Sequence, residues 1–446
     1  MMQLPWELEE HILSLIPPKP LARFRSVCKR WNYLFNDMRF VNKHLARARP
    51  HFILLSKSNI CSVDVNDLDG DPSIELHNLP YDIPGYEPSM PVRVEYCDGL
   101  LIYFTFYGTG ICNPWLRQIK WIKAKCHADE FNGMGYENSR VLDNKQYKIL
   151  ESDIYSNTSM KVSITDFGYD DAWKSYEFAS INWKLYSSQN SVSLNGTLYW
   201  VAIYYHDCEP HELFIQSFDF STERFAPYCM LPSENKAGPY DARSLAVFRG
   251  DGFSFLEQNY ETRDIKIWVT KEKIQNGING KNVEWMSFMN VSIPEWSSLK
   301  VSGRFPPSYF IDETSFSLVL CCLNNEGKTC IYIANKGVNK FYEIKINDLV
   351  ETHRIHRTYF PSLIQVPTFT MSGKEVKKIS VARSNFVVVE EPDEVDTEGI
   401  VTYMYLLNSF VGSIIPNGSI VFENCCMGDD AVTCLKQNIR KSSKKG

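Results

Sequence analysis

The chain has 446 residues and a formal net charge of −6, a length that predicts a few domains or one large repetitive one. Its apolar share of 44% and charged share of 22% are ordinary globular usage, which excludes wholesale disorder and collagen-like structure. Aromatics at 13% favour strands, and no apolar run approaches the roughly 18 residues of a membrane span, so a soluble protein is expected.

At the start, MMQLPWELEE has neither the basic nor the apolar stretch of a signal peptide. The 13 cysteines are odd in number, scattered and without a C-x-x-C pair, which predicts reduced thiols in cytosol or nucleus and no disulfide framework. Residues 1–50 hold nine Lys or Arg against four Asp or Glu, a balance of +5 that leaves −11 for the rest. Leu4, Leu8, Ile12, Leu15 and Ile16 recur at helical spacing behind Pro5, which predicts a first amphipathic helix. Pro17 and Pro18 stop it, Pro20 opens a second, and Phe24, Val27, Cys28, Trp31, Leu34 and Phe35 form its stripe. A helical hairpin of this size buries little surface, so its outward apolar residues call for a partner.

The run LPWELEEHILSLIPPKPLARFRSVCKRW, from Leu4 to Trp31, resembles the F-box, departing from the usual pattern at His11, Leu15 and Pro20. The resemblance implies an F-box over residues 1–47 that docks on the Skp-like adaptor of a cullin-RING ubiquitin ligase. It implies adaptor contacts from Leu4, Pro5, Leu8, Ile12, Leu13, Leu21, Phe24, Val27, Cys28 and Trp31. The basic residues Arg23, Arg25, Lys29 and Arg30 complement an acidic partner.

From His51 the pattern changes to short aromatic and apolar runs divided by Gly, Asn, Asp and Pro, the mark of strands and turns. A strand ending in a polar turn returns with turn entries at Asp64, Asn113, Asp166, Asp219, Val269 and Ala334. The period is near that of four-stranded propeller blades. The expected fold is therefore mainly β with a small α N-terminal unit, the helices followed by a β-propeller-like repeat domain of six or seven blades over residues 51–385. A large irregular β-sandwich or two barrels would fit the same runs. The double glycine of kelch repeats is missing. The phrases NPWLRQIKWI, FNGMGYE, SVSLNGTLYWV, FIQSFDFSTERF, WVTKEKI and YFPSLIQVP instead resemble the F-box-associated interaction domain (type 1) of plant proteins. Residues 386–446 read as an extension with the acidic loop EEPDEVDTE and a basic tail.

Phosphate-loop, nucleophile-elbow and zinc-protease motifs are missing. His206, Cys208 and His211 in HDCEPHE, and His353 with His356, fall short of the ligand number a zinc site needs, so no metal and no cofactor is expected. Arg, Lys and aromatics alternate in NPWLRQIKWIKAK, but the acidic balance speaks against nucleic acid. The expected function is a non-catalytic substrate-recognition subunit of a Skp-cullin-F-box ligase, holding the adaptor by its helices and an unknown protein target by its β domain. The alternative is a propeller that senses a small molecule or carbohydrate, with the F-box as a coupling module.

Overall fold

The computed structural model describes residues 5–366, apart from 56–59, 80–92, 106–107, 124–130, 139–144, 157–158, 167–172, 180–182, 187–190, 205–211, 234–240, 276–282, 296, 300–305, 336–339 and 347–354. Four short helices come first: α1 (Trp6–Leu13), α2 (Pro18–Phe24), α3 (Lys29–Leu34) and α4 (Met38–Leu45). The expected second helix is thus two. The stripe from Phe24 to Phe35 is interrupted by a turn in which Ser26 N donates to Arg23 O and Val27 N to Phe24 O. Cys28 then starts α3, its Sγ accepting Trp31 N at 3.4 Å. Helix α2 begins at Pro18, where a proline gives up only an N–H that has no helical partner, rather than at Pro20. A fourth helix, α4, stands beyond the expected hairpin, and Asp37 opens it by accepting Arg39 N at 2.9 Å.

Among the described residues twenty-five strands follow, in six antiparallel sheets. Each blade runs from an inner to an outer strand, as in blade 2 with Arg93–Cys97, Leu100–Phe104, Gly108–Asn113 and Gln118–Lys123. Blade 3 spans Phe131–Ala179 and blade 4 Trp183–Met230, in which Trp183–Leu185 and Ser191–Leu194 both pair with Thr197–Tyr204 on the inner side. Blades 5 and 6 span Ala242–Val291 and Ser308–Lys345. Blade 1 takes His51–Leu55, Ile60–Asn66 and Ser73–Leu79 from the start of the domain and its inner strand, Ile355–Tyr359, from the end. That strand pairs antiparallel with His51–Leu55 and closes the ring, so no blade is left with an open face.

Middle strands are covered by neighbouring blades on both sides, which is why LLIYF and TCIYIAN are buried along their whole length instead of alternating. Outer strands such as Arg224–Met230 are covered on one side and partly exposed. Six separate apolar clusters fill the six blade interfaces; the one joining blades 6 and 1 includes Phe52, Leu54, Val319 and Ile333.

Four hairpin loops share one device. A carboxylate or amide oxygen at Asn113, Asp219, Asn259 or Asp312 accepts backbone N–H groups two or three residues on. The residue four positions later, Arg117, Glu223, Arg263 or Phe316, takes a positive φ and returns the chain.

The helical unit and the propeller are not separate bodies. Leu13, Leu21, Phe24, Val27, Trp31, Phe35 and Phe40 share one apolar cluster with Leu100, Ile102 and Ile111 of blade 2, Met134 and Ile149 of blade 3, and Leu363, Ile364 and Val366. The strand that closes the ring ends at Tyr359 and the described residues end at 366, so the expected boundary at 385 lies outside them. The acidic run and basic tail lie outside the described residues.

Candidate functional site

Of the ten side chains expected to meet an adaptor, Leu13, Leu21, Phe24, Val27 and Trp31 are each no more than 1% exposed. They are the chain's own core and shape the helical surface from beneath. Ile12 is buried at the edge of that core, and Cys28 is half-buried while its sulfur caps α3. Pro5 and Leu8 face solvent, Leu8 at 43% exposure, and Leu4 lies outside the described residues. Leu15, which the site expectation omitted, is 53% exposed. It continues the helical spacing from Leu8 through Ile12, beside half-buried Ile16 and exposed Pro17. That spacing was legible, since the same residues defined the stripe of α1.

Polar contacts fix this strip. Glu9 of α1 accepts Trp31 Nε1 at 2.5 Å and pairs with Arg30 at 3.2 Å, and the Arg30 guanidinium lies 3.8 Å from the centre of the Trp6 ring. Glu10 pairs with Lys43 of α4 at 2.9 Å. Beyond α1, the carbonyl of Ile16 stands 2.8 Å from His44 Nε2. Burial holds the His44 imidazole below its ordinary pKa, so the neutral ring donates from Nε2. The exposed apolar strip is therefore presented on helices tied to one another at both ends.

The closing phrase YFPSLIQVP runs from the last strand into the seam between helices and propeller. Ser362 Oγ donates to Gly99 O at 2.7 Å. Gly99 has φ +85°, and a Cβ there would stand 2.6 Å from Ser362 Oγ, so only glycine fits both the turn and the contact. Asn113, fully buried at the end of a blade 2 strand, donates from Nδ2 to Ser362 O at 3.0 Å and Ile364 O at 2.7 Å. Val366 N donates to Gln118 Oε1 at 2.9 Å, and Gln365 Nε2 to Asn36 Oδ1 of the helical unit at 2.6 Å. The segment is a clasp, and the phrases NPWLRQIKWI and YFPSLIQVP meet in it.

The propeller axis is narrow. Arg357 of the closing strand pairs with Glu95 of blade 2 and donates from Nε to Val94 O at 3.1 Å. Burial pushes the Glu95 carboxyl up, opposed by Arg357 and Arg93. The adjoining cavity holds about 80 Å³, lined among others by Ser191, Ser244, Ser308 and His356, against the roughly 300–1,000 Å³ of small-molecule pockets.

The remaining sequence candidates find ordinary places or none. His356 is held by Ser308 Oγ at 2.8 Å, while His206, Cys208, His211 and His353 lie outside the described residues. Among the described residues no group of three His, Cys, Asp or Glu side chains could hold a metal ion. Trp115 donates from Nε1 to Tyr359 OH at 3.1 Å, and the Trp121 ring fills the space that a Cβ on Gly108 or Gly110 would need. The aromatics of NPWLRQIKWIKAK thus pack between blades instead of standing out to stack on bases.

Comparison with known proteins gives the same division of the chain. A family profile described as F-box domain matches residues 1–43, and one described as F-box associated beta propeller domain matches residues 51–366. Jacalin-related lectin 38 of Arabidopsis thaliana is 60% identical over 381 residues, covering 85% of this chain and 71% of the lectin. Protein SUPPRESSOR OF NIM1 1 of the same plant is 40% identical over 392 residues, covering 82% of this chain and 100% of that protein. Putative F-box only protein 10, also from Arabidopsis thaliana, is 40% identical over 377 residues, covering 82% of this chain and 96% of its own.

Proposed function

The chain belongs to the F-box proteins that carry an F-box-associated β-propeller, and from that premise we propose that it is a target-recognition subunit of a Skp-cullin-F-box ubiquitin ligase. The observation that carries the reading is the exposed strip of Pro5 before α1, Leu8 on it and Leu15 at its exit, above the buried Trp31 core. Apolar side chains held outward on a stapled helix gain from covering by a partner, which here is a Skp-like adaptor. The propeller holds a protein target. The chain itself contributes position and no bond chemistry: a target lysine kept near a charged enzyme reacts at high effective concentration. Cytosol and nucleus, where such ligases work, are the proposed compartments.

A second reading, a propeller that senses a small molecule or carbohydrate, gains only weak support from the name of the lectin relative, and the cavity of about 80 Å³ on the axis is small for either ligand. Titrating a purified Skp-like adaptor onto the full chain tests the main reading. Saturable binding at micromolar concentration or tighter is expected, and none with folded protein refutes it.

A further inference from the structure

Strands of a blade alternate in direction, so its turns alternate between the two faces of the ring. The clasp and helices sit by the first-to-second and third-to-fourth turns of blade 2, at Gly99 and Asn113. The opposite face carries the second-to-third turns and the crossings between blades. There, between blades 5 and 6, a groove of about 360 Å³ is lined by Asn259, Tyr260, Glu261, Arg263, Leu299 and Asn325.

Its walls are built before anything binds. Tyr260 N donates to Asp241 Oδ1 at 3.0 Å, Arg263 N to Asn259 O at 2.9 Å, and Asn325 N to Ser298 O at 3.1 Å. Arg263 Nη2 donates to the carbonyls of Ser297 at 3.0 Å and Leu299 at 2.7 Å, which turns its charge toward the backbone. Lys328 on the neighbouring turn pairs with Glu326 at 3.1 Å. Glu261 is exposed and has no ion pair among the described residues, and Tyr260 is 50% exposed. The groove is therefore lined by a half-exposed tyrosine and, next in sequence, an exposed carboxylate, while Arg263 is turned to the backbone.

A cation gains from both groups, lying over the ring and pairing with the carboxylate. An anion gains from neither. We infer that this groove docks a basic segment of the target protein, taking an arginine or lysine side chain between Tyr260 and Glu261. This rests on the reading that the propeller holds a protein target. The balance of −10 over residues 51–366 draws such a segment toward the propeller.

The test uses the full chain and saturation-transfer NMR with N-acetyl-arginine amide, N-acetyl-glutamate amide and N-acetyl-leucine amide at equal concentration. The arginine probe should give the strongest transfer, falling at least fivefold in Tyr260→Ala and in Glu261→Gln and surviving in Tyr260→Phe. Equal transfer for the three probes, a preference for the glutamate or leucine probe, no transfer from any, or an arginine signal unmoved by both variants would each overturn the inference. Adaptor affinity is measured on the same variants. It should be unchanged, and a wild-type chain that fails to bind adaptor counts against the ligase reading while leaving the groove result standing.

Discussion

At the scale of single residues, buried polar side chains decide more than their number suggests. Asn113 supplies the donors for two buried carbonyls, those of Ser362 and Ile364. In Asn113→Ala both acceptors stay buried, at about 1–3 kcal/mol for a group left unsatisfied. Hydrogen exchange followed by mass spectrometry should show faster exchange across residues 360–366 with blade 5 unchanged; equal protection in the variant would mean that the clasp is held by packing alone. His51 is the second case. Burial, with the neighbouring His77, pushes its imidazole down to about 4. Its ring contacts Ser62 Oγ at 3.0 Å and Asp64 Oδ1 at 3.5 Å. The folded state keeps the ring neutral while the unfolded chain takes a proton below about 6.5, so stability falls as pH drops through the window from about 6.5 to 4. At pH 5 this one group costs about 2 kcal/mol. Asp64, whose carboxyl burial pushes up, acts in the opposite sense. Melting at pH 7 and 5 in wild type and His51→Gln isolates the histidine: the variant should lose less on acidification, and an identical loss would place the acid sensitivity elsewhere.

At the scale of elements, the repeat was written plainly and the helices were not. The turn entries read at Asp64, Asn113, Asp166, Asp219, Val269 and Ala334 all fall on the third strand of a blade, one in each of the six. Period survives because every blade must bury its middle strands on both faces, which forces the same apolar run and the same polar turn each time. Six or seven blades fit that period, and the described residues form six sheets. In the helical unit, by contrast, α2 and α3 keep one apolar phase across their break, so periodicity alone joined them. The signal that α4 existed was Asp37 ahead of Phe40, Val41 and Leu45, a cap followed by an apolar stripe. Burial separated the adaptor candidates in a way spacing could not, because core and surface residues of short helices share a period. The division predicts that Leu8→Ala with Leu15→Ala leaves the melting temperature within about a degree while adaptor affinity falls roughly tenfold or more, as interface anchors do. An equal fall in both would return the two leucines to the core.

At the scale of the whole molecule, the shared cluster makes the helices and blades 2 and 3 one cooperative body. The sequence shows a break near residue 50, where charge and period change. The break is real in composition but not in packing, since the chain returns after Tyr359 to seal the seam. Trp31→Ala should therefore cost about 3–5 kcal/mol and lower the unfolding of the strand signal together with the helical one in circular dichroism. Two separate transitions, with the strand transition unmoved, would show that the seam carries little energy. Such a body holds the α1 strip and the far face of the propeller at a fixed separation and angle, which is what a subunit needs if it is to place a target lysine.

The most direct measurement is calorimetric titration of a Skp-like adaptor onto the intact chain and onto Leu8→Asp with Leu15→Asp, with melting followed on the same preparations. Saturable binding by the wild type, loss of at least tenfold in affinity for the variant and matching melting curves are expected. Unchanged affinity in a fully folded variant, or no binding by the wild type, would contradict the adaptor reading.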